Sequence, residues 1–160
     1  MAGLIVSACL AGLPTRYDAA VRTNRQLLKL LSGLCWVPVC PEQLGGLATP
    51  RPACSLVGGH GGDVLDGRAK VVDSRGGDAT SAYLAGAEAV LNLAGRMEPQ
   101  AALLRSRSPS CGPLTRIGSD GSPRPRGVAA AMLQRAGIRL FEVEDTGVES
   151  DLWLFLSQLI

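Results

Sequence analysis

Histidine occurs once in this chain of 160 residues, lysine twice, and aromatic side chains make up only 4% of it. No Cys-x-x-Cys pair is present and the single histidine, His60, lies between Gly59 and Gly61 in a predicted surface loop. A structural zinc site built from closely paired ligands is therefore excluded. Net basicity is also missing: the formal charge is +2, which argues against a dedicated nucleic-acid module with a basic face. No apolar run approaches the roughly 20 residues of a membrane span. Met1-Ala2-Gly3 leads straight into an apolar segment without a basic n-region or cleavage site, so the expectation is a cytoplasmic protein with no membrane partner. There is no internal repeat and no compositional break, and residues 1–160 are expected to form one domain.

What the chain does have is a core and five cysteines. With 46% hydrophobic residues, a chain of this length buries roughly 70% of its unfolded surface without help from disulfides or metal. In a reducing compartment an odd set of spaced cysteines points to chemistry or metal binding rather than to a disulfide framework. Of the sixteen basic residues, fourteen are arginine, and several fall in predicted loops, among them Arg16, Arg51, Arg105 and Arg107. The planar guanidinium suits recognition of anions and carbonyls.

Short apolar runs and helical periodicities alternate along the chain. Residues 4–8 read as a buried strand, residues 36–39 as a short strand or one whose ladder Pro38 interrupts, residues 24–32 as a helix stopped by Gly33, and residues 101–104 and 138–143 as two further strands. A helix capped by Asp78-Ala79-Thr80 is expected to run to Ala94, with Gly95 ending it. Another is expected over 127–136. Residues 45–77 form a long Gly/Pro-rich loop region with short strands expected at 64–65 and 70–72, and a hairpin-like turn is expected around Ser119-Asp120-Gly121. The apolar tail at about 145–160 reads as a last helix, packed on the domain or on a second copy in a homodimer. The order of elements predicts an α/β fold: a Rossmann-like, open, mostly parallel sheet of about four main strands flanked by helices.

Three cysteines take the same kind of position. Cys9 follows the first strand, Cys40 the second, and Cys111 lies in the loop after the third. In an open parallel sheet these loops share one edge, where ligand crevices form. Cys35 opens a strand at the opposite edge and is expected to be a small buried hydrophobe. Cys54 has no assignment. Three thiols with no fourth partner leave two readings open: three thiols merely buried at strand ends, or ligands of a [4Fe-4S] cluster with one iron free for substrate.

Three blocks carry a resemblance. Ser7-Ala8-Cys9-Leu10-Ala11-Gly12 with Arg16-Tyr17-Asp18, Cys40-Pro41-Glu42-Gln43-Leu44-Gly45-Gly46-Leu47 with Thr49-Pro50-Arg51-Pro52, and Arg107-Ser108-Pro109-Ser110-Cys111-Gly112 resemble the signature blocks of a bacterial family. That family was catalogued as a domain of unknown function and includes the 2-thiouracil desulfidases. The likeness extends to about Phe141. It implies a Rossmann-like domain, an oxygen-sensitive [4Fe-4S] cofactor held by Cys9, Cys40 and Cys111, and non-redox removal of sulfur from a thiolated pyrimidine such as 2-thiouracil. Two positions depart from the pattern: Ala19 stands where the family usually has glycine, and Cys54 where it usually has alanine.

From those positions an expected chemistry follows. The soft thiocarbonyl sulfur meets the iron that lacks a protein ligand, and Glu42 serves as the base that activates water. Ser108 is the second catalytic candidate, with Ser110 as a substrate-orienting or proton-relaying partner. Arg51, Arg105 and Arg107 are candidates to hold an oxyanion, or a phosphate if the substrate is a nucleotide, and Tyr17 and Asp18 to contact the base. The competing readings are a cluster-bearing redox sensor or electron carrier and a cluster-free nucleotide-binding module. The absence of a Gly-x-Gly-x-x-Gly loop counts against the second, and the absence of a P-loop against a tRNA-thiolating enzyme.

Overall fold

Leu4–Ser7 (β1), Trp36–Val39 (β2), Ala101–Arg105 (β5) and Leu140–Val143 (β6) are the four strands expected from the apolar runs, and they pair in parallel in the order β2-β1-β5-β6. The computed structural model describes residues 3–113 and 126–159. The turn expected around Ser119-Asp120-Gly121 lies outside them. Because successive side chains alternate across a strand, Leu4, Val6, Ala101 and Leu103 face one layer while Ile5, Ala102 and Leu104 face the other. The first layer is closed by Arg25–Leu31 (α1) and Ser150–Ser157 (α6), through Leu27, Leu31, Leu152 and Leu156. The second is closed by Thr80–Met97 (α4) and Val128–Arg135 (α5), through Val90, Ala94, Ala130 and Leu133. Each such leucine or isoleucine contributes roughly 2 kcal/mol of burial.

Local signals explain the helix ends. The Asn24 side chain caps α1 by accepting from the Leu27 amide at 2.9 Å, while its own amide nitrogen donates to the Glu144 and Gly147 carbonyls. The tail helix docks on its own sheet: Phe141 and Phe155 stack at 4.9 Å with the Arg139 guanidinium over both rings. Among the described residues no helix is long and apolar enough to cross a membrane.

Several expectations need correction. Val64 and Leu65 lie in a helix, Gly61–Leu65 (α3), not in a strand. His60 and Asp63 form a reciprocal cap there, the imidazole Nδ1 accepting from the Gly62 amide and the carboxylate from the His60 amide, and this local bonding overrides the strand propensity of Val-Leu. Cys54–Val57 (β3) pairs with Lys70–Asp73 (β4) in an antiparallel hairpin, so only the second half of that hairpin was foreseen. Gly95 does not stop α4, which continues to Met97. Met97 packs into the second core layer, and Glu98 closes the helix in the left-handed region. The Asp78 carboxylate does bond the Thr80 amide, but the cap position itself is Ala79, without a side-chain cap. Cys35 is exposed, because β2 is an edge strand and only the Cys35 carbonyl is turned inward, to the Leu4 amide.

Directly after β2 comes a short helix, Pro41–Leu44 (α2). It is pressed backbone to backbone on α4: a Cβ on Gly45 would meet the Ala82 carbonyl oxygen, and one on Gly86 the Pro41 carbonyl oxygen. This explains one glycine of the Leu44-Gly45-Gly46 motif, and it fixes the residues at the start of α2 relative to the sheet.

Candidate functional site

The chain leaves β1 toward β2 on one side and returns, after the hairpin and α4, to β5 on the other. That reversal is where a parallel sheet opens a crevice at the carboxyl ends of its strands. A cavity of about 180 Å³ lies there, and Cys9, Cys40 and Cys111 all line it, together with Glu42, Arg51, Ser108 and Ser110. Cys9 sits in a 3-10 turn, Ala8–Ala11, directly after β1; Cys40 is the residue preceding α2; Cys111 follows β5. Three loops far apart in sequence thus bring their thiols to one hollow.

The thiols feel one another. Burial pushes Cys111 up to about 12, and repulsion from Cys9 and Cys40 adds to it, against hydrogen bonds from Ser7 and Ser110. Cys9 is raised chiefly by burial and further by Cys40, while the Arg105 guanidinium opposes the rise. Ionised together in this low-dielectric hollow, the three would be costly without a compensating cation. Among the described residues no three His, Cys, Asp or Glu side chains surround a single-ion position. A donor set of three soft sulfurs, spread round a cavity and mutually repelling, fits a polynuclear iron–sulfur group, in which each thiolate holds a different iron.

Glu42 is buried and fully engaged. One carboxylate oxygen accepts from Arg51 Nε at 2.6 Å and the other from Ser110 Oγ at 3.0 Å. Ser110 Oγ lies 3.1 Å from Ser108 Oγ, which also accepts from the Cys111 amide at 3.0 Å. The Ser-Pro-Ser turn therefore both aims Cys111 and links Glu42 to the cavity by a chain of hydroxyls. The Arg51 side chain is 6% exposed. Besides Glu42 it donates to the Thr15 and Ala48 carbonyls and to Thr49 Oγ1, so its donors are consumed by the protein.

The remaining expected residues divide. Tyr17 and Arg107 stand at the mouth, 44% exposed and with a 68% exposed side chain respectively. Arg105 lines the cavity but is gripped by both oxygens of Asp145, which is in turn approached by Arg16 and Arg22. Asp18 does not line the cavity; it accepts from the Ala20 amide and from Arg16 Nε at 3.2 Å. Ala19, the departure noted above, holds φ of 56°, where glycine is the undemanding choice.

Sequence reasoning did not single out Ser7, whose buried hydroxyl accepts from the Arg105 amide at 3.0 Å, nor Thr15 and Asp145. Ser7 and Asp145 carried one usable signal, their places at the carboxyl ends of predicted strands. Thr15 carried none, since it acts through its carbonyl.

Comparison with known proteins finds relatives over most of the chain. A family model for 2-thiouracil desulfurase matches residues 4–145. An uncharacterized protein of Bacillus subtilis (strain 168), YbbK, is 38% identical over 140 residues, spanning 86% of this chain and 93% of its own length. A solved structure, a [4Fe-4S]-dependent thiouracil desulfidase named TudS, superposes with a TM-score of 0.73 at 34% identity over 99% of both chains.

Proposed function

The chain belongs to the 2-thiouracil desulfurase family, and from this we propose that it is a thiouracil desulfidase that exchanges the sulfur of a thiolated pyrimidine for oxygen from water, with a [4Fe-4S] cluster held by Cys9, Cys40 and Cys111. The observation that carries the reading is the convergence of these three thiols with the buried Glu42–Ser110–Ser108 chain on one small cavity. When bound, a cluster with three protein ligands supplies a soft, Lewis-acidic iron for a thiocarbonyl sulfur.

The protein's own residues do the rest. Glu42, with Arg51 fixing one oxygen, turns the other toward the cavity and accepts a proton from the attacking water. The water oxygen bonds to the ring carbon, the carbon–sulfur bond breaks, and sulfur departs as hydrosulfide. Ser110 and Ser108 carry a proton between Glu42 and the reacting atoms. No electron is gained or lost overall, so no reductant is consumed. Tyr17 and Arg107 at the mouth contact the base, or the phosphate of a nucleotide substrate. Asp18 serves through Arg16, whose side chain it holds at the cavity wall, and Arg51 serves through Glu42.

Anaerobic isolation and reconstitution, followed by iron and sulfide counts, tests the ligand set. The native chain should carry about four of each. Cys9→Ser, Cys40→Ser and Cys111→Ser should lose them, and Cys35→Ser should not. A native chain that holds no cluster under either condition would sink the proposal.

A further inference from the structure

Glu42 has two sides. Toward the cavity its carboxylate meets Ser110 and Arg51. Behind it runs α4, packed so closely on α2 that Gly86 has no room for a Cβ, and this stretch of α4 carries Tyr83. Tyr83 is 2% exposed, and its hydroxyl is buried and has no hydrogen-bond partner among the described residues. The Glu42 carboxylate and the Cys54 thiol lie close enough to act on it electrostatically, though neither meets it in a hydrogen bond of ordinary geometry. Burial above all, and then the Glu42 charge, drive the phenol far above its ordinary pKa, so it is a donor at any working pH.

A buried hydroxyl without a partner forfeits the bond that water would have given it. Phenylalanine would fill the same space among Val64, Val71 and Ala87 without that loss. The oxygen is thus unexplained by the resting structure, and the one charged acceptor beside it is the group that the proposed reaction must hold still. Each Glu42 oxygen has one donor on the cavity side, Arg51 on one and Ser110 on the other, and neither holds the carboxylate from the α4 side.

We propose that Tyr83 is a positioning residue for Glu42, its hydroxyl backing the carboxylate from the α4 side while Arg51 and Ser110 hold it from the cavity side. This rests on the reading of Glu42 as the base. Cys54 is a neighbour of the same hydroxyl and has no part in the reaction.

Two measurements test it. The chain has two tyrosines, and Tyr17 is exposed. In cluster-free protein labelled at the tyrosine Cζ, Glu42→Gln should move the Tyr83 carbon resonance and leave that of Tyr17 in place; no movement overturns the proposal. In the reconstituted enzyme, Tyr83→Phe should keep its iron and melt no lower than the native chain, yet lose about tenfold in kcat with KM little changed. Unchanged kcat, or a loss that tracks a lower melting temperature or iron content, overturns it. Cys54→Ala should leave kcat within about twofold, and a loss there equal to that of Tyr83→Phe would assign the hydroxyl to Cys54 instead. An active Glu42→Gln enzyme would defeat the reading of Glu42 as base. An inactive one beside a fully active Tyr83→Phe would defeat only the present inference.

Discussion

Arg51→Met strands a buried carboxylate. The Arg51–Glu42 pair is close, at 2.6 Å, and its side chains are only 6% and 10% exposed. Water therefore cannot replace the lost guanidinium well, and removing one partner of such a pair costs about 3–5 kcal/mol. Ser110 still donates to the other Glu42 oxygen, which argues for the lower end. The Thr15 and Ala48 carbonyls, which also accept from Arg51, lose a donor as well. At about 3 kcal/mol, and about 2–4 °C per kcal/mol for a chain of this size, the melting temperature should fall by about 6–12 °C. The measurement belongs on the cluster-free protein, so that metal loss plays no part. If the loss comes from the stranded charge, the double variant Glu42→Gln/Arg51→Met should be more stable than the two single losses predict by about 1–3 kcal/mol. A drop below about 2 °C for Arg51→Met, or strict additivity in the double variant, would refute the reasoning.

Three further outcomes are expected. Ala19→Gly relieves a left-handed alanine and should stabilise the chain by about 1 kcal/mol, read as a rise of about 2–4 °C in a thermal melt; no rise would show that the Tyr17-Asp18 turn tolerates alanine. Gly86→Ala places a methyl against the Pro41 carbonyl oxygen. It should cost about 1–3 kcal/mol and reduce activity by displacing Glu42, whereas near-native stability and kcat would mean that α2 moves freely. Arg105 holds the Asp145 carboxyl below its ordinary pKa of 3.8. A depressed carboxylate stabilises the fold fully above that value, and the stabilisation is lost as pH falls through the lower folded-state pKa. Urea midpoints taken from pH 6 down to pH 2 should therefore fall less steeply for Asp145→Asn than for the native chain, and parallel curves would contradict the assignment.

Sequence pattern carried furthest where one physical signal dominated. The four strands of the parallel sheet are short apolar runs bounded by Gly, Pro or Cys-Pro, and the two central ones, β1 and β5, are buried almost throughout. Placing Cys9, Cys40 and Cys111 after parallel strands was enough to predict a shared edge, and they line one cavity. The hairpin region was hard to read because its forces are local and competing. A His-Asp cap turns Val64-Leu65 into a helix, and the sequence Cys-Ser-Leu-Val of β3 ends on two adjacent apolar residues, which hides the alternating burial it adopts. Cys35 misled because thiols are commonly buried, and whether β2 lay at the edge could not be read from its own residues. Tyr83 looked like ordinary core on α4. Its unpartnered hydroxyl becomes visible only once α2, folded from residues forty positions earlier, is packed against it.

The most direct test of the central claim is product analysis with 2-thiouracil under strict anaerobiosis, with the reconstituted protein and no electron donor. The account predicts uracil and hydrosulfide in equal amounts over many turnovers, abolished by Cys111→Ser and strongly reduced by Glu42→Gln. Failure to convert the compound with a full cluster in place, or conversion that requires a stoichiometric reductant, would contradict it.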